Sequence, residues 1–149
     1  MSEPTTWTKA EDTMCRAIRR RSIQALRDLY ADFELPPGLE EARLPALDDA
    51  LTEYGRSRRL LGLSRVEEVA HNIGLLTGEI LVNGRRARWV VDGEEKRLGL
   101  QAGEDGSETA TGPVAEPVRW ALERAAGTGP TLSERIQDWR AALRGTNAA

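Results

Sequence analysis

The stretch from Val66 to Trp89 reads Val-Glu-Glu-Val-Ala-His-Asn-Ile-Gly-Leu-Leu-Thr-Gly-Glu-Ile-Leu-Val-Asn-Gly-Arg-Arg-Ala-Arg-Trp. Val66, Val69, Ala70, Ile73, Leu76 and Ile80 recur at steps of three and four, the spacing that lines one face of a helix. Asn83-Gly84 then turns the chain into an extended run ending at Trp89, Val90 and Val91. A buried helix that hands directly to a sheet predicts an α+β chain packed around that junction. Residues 79–82 read either way, as a short strand or as the end of the helix, because Ile80 still fits the helical stripe.

Working outward, Ser64-Arg65-Val66-Glu67 has the form of a capping box and sets the expected start of this helix. Before it, Leu44, Leu47, Leu51 and Tyr54 predict a shorter helix, opened near Pro45 and closed at Gly55. Residues 56–62 read as a connector whose Leu60 and Leu61, together with Leu63, should tuck into the core. Further back, Thr8-Lys9-Ala10-Glu11 forms another capping box. Cys15, Ile18, Ser22, Leu26, Leu29 and Phe33 follow at helical spacing. The spacing predicts a long N-terminal helix over residues 7–33, stopped by Pro36-Pro37-Gly38.

On the other side, Asp92-Gly93 signals a tight turn between Ala87–Val91 and Lys96–Leu100, an antiparallel pair. Residues 101–111 are rich in Gly, Asp, Glu, Ser and Thr, the composition of a flexible loop. Glu116-Pro117 starts a helix through Trp120, Ala121 and Arg124 to Gly127, with proline at the tolerated first turn. Thr131-Leu132-Ser133-Glu134 caps a last helix carrying Ile136, Trp139, Ala142 and Leu143, closed at Gly145, with residues 146–149 as a frayed tail. The expected architecture is a single α+β domain over residues 1–149. A long N-terminal helix and further helices pack on a small antiparallel sheet of two to three strands, and a helical pair ends the chain.

The 149 residues suit one domain. With 40% hydrophobic and 30% charged residues, the mean hydropathy is -0.49, and no apolar run is long enough for a membrane span. The start, Met1–Trp7, has neither the basic nor the apolar segment of a secretory signal. A lone cysteine, Cys15, excludes an intramolecular disulfide framework. These features together predict a cytoplasmic protein without a membrane partner. The net charge of -3 speaks against a general nucleic-acid binder, since no global positive field offsets phosphate repulsion.

Chemistry-bearing patterns are few. Glu68-Val69-Ala70-His71 matches Glu-x-x-His, but a di-iron bundle needs a second copy, and His71 is the only histidine. A nucleophilic Cys15 or serine would need a base, for which His71 is the only histidine available, Cys15 sits on an apolar stripe as a small buried hydrophobe does, and nothing marks one carboxylate pair above the rest. The sequence therefore predicts no catalytic, cofactor or metal residues. Two basic clusters remain. Arg16, Arg19 and Arg20 share a helix face, and Arg85, Arg86 and Arg88 flank the Asn-Gly turn. They read as candidate partner-binding residues, a guanidinium fork for phosphate or an acidic partner. The alternative is a solvated face salted by Glu40, Glu41 or Asp48.

The order of the pieces resembles a loose group of small bacterial, largely actinobacterial, domains of unknown function. Leu47-Asp48, Gly74, Gly78-Glu79, Trp89 and Pro117 carry the resemblance, and Leu76 departs from it where the group has an aromatic residue. The resemblance implies a compact α+β domain and no catalytic residues, and some domains of similar layout are immunity or adaptor proteins. The leading expectation is a non-enzymatic cytoplasmic protein-interaction module, immunity-like or adaptor, whose partner is another protein. Nucleic-acid or phosphate binding through the arginines and an enzyme with an unmarked carboxylate site are the alternatives. The long first helix also offers a surface for pairing with a second copy.

Overall fold

The computed structural model describes residues 5–6, 13, 16–21, 23, 24, 27, 40–83, 87–92, 97–102 and 109–147. In chain order these form β1 (Thr5–Thr6) and helical residues 16–21 (α1), with residues 13, 23, 24 and 27 also helical. A 3-10 turn (Glu41–Arg43), α2 (Leu44–Arg56), α3 (Arg58–Leu61) and α4 (Leu63–Asn83) follow. Then come β2 (Ala87–Asp92), β3 (Arg97–Ala102), β4 (Thr109–Ala115), α5 (Pro117–Ala125) and α6 (Leu132–Asn147). The Thr8–Glu11 cap, Cys15, Ser22, Leu26, Leu29, Phe33, the Pro36-Pro37-Gly38 stop, Gly84, Arg85 and Arg86 lie outside the described residues.

The fold is α+β, with a C-terminal helical pair and a small antiparallel sheet of order β1-β4-β3-β2. Its organising element is α4. Every residue from Ile73 to Val82 on this helix is buried, so its C-terminal half is covered on all sides rather than along one stripe. That surround holds residues 79–82 as helix, not strand. Thr77 is accommodated there because its hydroxyl donates to the Ile73 carbonyl at 2.8 Å.

The β2–β3 ladder runs from Ala87↔Ala102 to Asp92↔Arg97. The two strands lie where they were expected, with β2 running one residue past Val91 and β3 starting one residue past Lys96, and residues 93–96 lie outside the described residues. Of the loop expected over residues 101–111, Gln101 and Ala102 belong instead to β3 and Thr109–Thr111 to β4, and residues 103–108 lie outside the described residues. Between the pairs Leu100↔Ala115 and Ala102↔Thr111 the register shifts, and β4 spends four residues where β3 spends two. Pro113 falls inside that irregular segment, where its missing N–H costs no regular ladder bond.

Strand alternation gives the sheet two buried faces. Trp89 and Leu100 pair on the face toward α4, and the Trp89 indole lies where a Cβ on Gly78 would stand. Arg88 and Gln101 pair on the opposite face and are buried as well. Trp89, Leu51, Ile73, Leu76, Leu100, Leu132 and Ile136 are the largest fully buried side chains. The Thr131–Glu134 capping box forms as read: the Glu134 amide donates to Thr131 Oγ1 at 3.2 Å, and the Thr131 amide donates back to Glu134 Oε1 at 3.4 Å. Helix α6 continues through Gly145 to Asn147, past its expected close, so residues 146 and 147 of the expected frayed tail are helical, while 148 and 149 lie outside the described residues.

Candidate functional site

Residues 56–65 read Arg-Ser-Arg-Arg-Leu-Leu-Gly-Leu-Ser-Arg. Helix α2 ends at Arg56 and α3 forms one turn, with the Leu60 and Leu61 amides both donating to the Ser57 carbonyl at 3.0 Å. Gly62 follows at φ 85°, a conformation that strains any side-chain-bearing residue, and re-aims the chain into α4. Its carbonyl accepts the Val66 amide at 3.2 Å, so α4 starts at Leu63 and the expected Ser64 cap is not the helix start.

This geometry leaves the connector's leucines outside the core they were expected to join. Leu60 is 91% exposed, Leu63 63% and Leu61 44%. A single turn about 6 Å long is too short to fold Leu60 back over α2. Leu63 continues the stripe of Val66, Ala70 and Ile73, but it overhangs the body by one turn, and Val66 is the first residue of that stripe to be buried. Arg56, Arg58 and Arg59 are exposed around the leucines. None of these three makes an ion pair among the described residues, whereas Arg65 pairs with Glu68 at 3.3 Å.

Among the described residues, the arginines singled out from the sequence do not form one exposed cluster, since Arg88 is buried while Arg16, Arg19 and Arg20 are exposed. Arg16, Arg19 and Arg20 are helical and exposed. Arg19 turns toward α4, with its Nε 3.7 Å from Glu79 Oε1. Its acid partner is therefore Glu79, while Glu41 pairs with Arg140 and Asp48 with Arg124. Arg85 and Arg86 fall outside the described residues. Arg88 is buried at 6% exposure, which corrects its place in a surface cluster: strand alternation aims it at a covered sheet face. It offers a partner no surface.

Two titratable groups on α4, one buried and one half-buried, are shifted from their ordinary values. Burial pushes the Glu79 carboxyl above its ordinary value of 4.5, against the opposing pull of the Arg19 guanidinium and the Trp89 indole N–H. Burial, and secondarily Arg21, hold the half-buried His71 below its ordinary 6.5. The Arg21 Nε itself donates to Asn72 Oδ1 at 3.0 Å. The native state thus binds the Glu79 proton more tightly than the unfolded chain does. Stability from this group is greatest below the ordinary glutamate value and declines as pH rises through the native one. Glu79→Gln should raise the urea midpoint at pH 7, with the difference closing toward pH 4. The Arg19 pair lost in that variant is half exposed and contributes little. A midpoint lowered at pH 7 would show that the pair outweighs burial.

Among the described residues no three His, Cys, Asp or Glu side chains converge as a metal site, and no helix is long and apolar enough to cross a membrane. Comparison with protein-family models, curated proteins and solved structures gives no significant match to this chain.

Proposed function

We propose that the protein is a non-enzymatic, cytoplasmic protein-interaction module of adaptor or immunity-like type that docks a partner on the Leu60–Leu63 turn. The observation that carries this reading is the exposure of three leucines within four residues. The only other large hydrophobic side chain comparably exposed among the described residues is Ile23, at 51%. Scattered exposed apolar residues are ordinary, but clustered ones with a polar rim mark interaction surfaces. Each leucine fully covered by a partner contributes roughly 1.5–3 kcal/mol to association. The arginine reading has less support, since Arg19 faces Glu79 and Arg88 is buried.

The test is affinity capture of the tagged protein from host lysate, with and without nuclease, beside the double variant Leu60→Ser/Leu63→Ser. One protein should be enriched in both samples, and its recovery should fall at least about tenfold in the variant. Because both leucines are exposed, the variant's stability should stay within about 0.5 kcal/mol of the parent. Enrichment that disappears with nuclease would favour the nucleic-acid reading. A small-molecule turnover abolished by a point substitution would end the interaction reading.

A further inference from the structure

We infer that the occupant of the Leu60–Leu63 turn is an acidic amphipathic helix of a partner protein, an assignment that rests on the interaction-module reading. Between Arg56 and Arg65 the chain carries four arginines and no acid, although the whole sequence has a net charge of -3. The turn is therefore a local reversal of the protein's own sign. Arg56, Arg58 and Arg59 border the leucines with no acid paired to them among the described residues. Carboxylates on an incoming surface would supply charge-assisted bonds to these guanidinium groups.

Size points to the same occupant. Leu60 and Leu63 are three residues apart, so their Cα atoms lie at most about 11 Å from each other. Neighbouring apolar residues at i and i+3 or i+4 of a helix stand about 5–6 Å apart, inside that bound, so one helix face is wide enough to cover the footprint. Two other occupants fit less well. A two-fold dimer through this turn would set Arg58 and Arg59 of one copy against those of the other. An anionic membrane surface would attract the turn but repel a chain whose net charge is negative.

The test uses the full chain and three probes, read by fluorescence anisotropy and vesicle flotation. The first is a helical peptide with Leu at i, i+3 and i+7 flanked by Glu. The second is the same peptide with Lys for every Glu, and the third is vesicles of phosphatidylcholine and phosphatidylglycerol. The acidic peptide should bind, and it should weaken about tenfold or more in Arg58→Glu/Arg59→Glu and again as salt is raised. In Leu60→Ser/Leu63→Ser its binding should be lost while the thermal midpoint holds. Equal binding of both peptides, lost in the leucine variant, would overturn the acidic partner and leave the interaction module standing. Binding of the acidic peptide that survives the leucine variant, or no binding of either peptide, would overturn the turn as a docking surface. Flotation with the vesicles in place of peptide binding would assign the turn to a lipid surface and overturn the protein partner.

Discussion

Gly74→Ala should destabilise the protein by about 3 kcal/mol, lowering the thermal midpoint by roughly 10 °C. Two effects of opposite sign compete at this position. In a helix interior alanine is favoured over glycine by about 1 kcal/mol, so an open site would be stabilised by the change. A Cβ on Gly74, however, would lie 2.4 Å from Val118 Cα and 2.9 Å from both the Pro117 carbonyl oxygen and the Val118 amide nitrogen. Carbon atoms in good contact stand roughly 3.5–4.0 Å apart. All three obstructing atoms are backbone, so no rotamer change relieves the clash and α5 must move off α4. That interface is the most extensive between any two elements described. Urea denaturation of the variant decides the sign. An unchanged or raised midpoint would mean that α5 is free to shift on α4 and that the two helices do not hold a fixed spacing.

The same glycine shows which parts of the fold are readable in sequence. The α4 stripe was legible because Val66, Val69, Ala70 and Ile73 are periodic within a single segment, and periodicity is a local property. The start of α5 at Pro117 and the cap of α6 at Thr131 were legible for the same reason. Strand β4 was not, because Thr109 to Pro113 is polar, carries glycine and proline, and becomes a strand only by pairing with β3. The leucines of 60–63 misled in the opposite direction. Their hydrophobicity argues for burial, but burial requires a neighbour, and which segments become neighbours is set by tertiary packing. The arginines show the same limit. Their charge was visible, but Arg88 in a covered sheet face and Arg19 against Glu79 depend on alignments over long separations. Gly74, Gly78 and Asp48 were also visible in the sequence, but not what they touch. Each of these three stands at a contact between elements, which only the folded arrangement reveals.

Asp48→Ala should cost about 3 kcal/mol, the lower end of the loss expected when one partner of a buried ion pair is removed. Asp48 is buried on α2, and its carboxylate faces Arg124 of α5 in a two-pronged arrangement. The Arg124 Nε donates to both oxygens at 3.2 Å and Nη2 donates to Oδ2 at 3.0 Å. Oδ1 also accepts the Leu132 amide at 3.1 Å, one of the free N–H groups in the first turn of α6. One side chain thus ties α2 to both members of the C-terminal pair. Removing it strands a guanidinium whose remaining contact is Nη1 to the Gly129 carbonyl at 3.4 Å, and leaves a buried amide without an acceptor. Arg124 keeps partial access to water, which holds the loss near the lower bound. Asp48→Asn should cost less, about 1–2 kcal/mol, because its amide oxygen still accepts one donor while the charge is lost. Combining Asp48→Ala with Arg124→Ala isolates the pair itself, and a coupling above about 1 kcal/mol is expected for groups in direct contact. Additive losses in that cycle would mean that Asp48 acts through the α6 amide alone. Since the Leu132 amide and the Arg124 guanidinium are both donors and meet only through the carboxylate, its two roles are separable in a single set of denaturation curves.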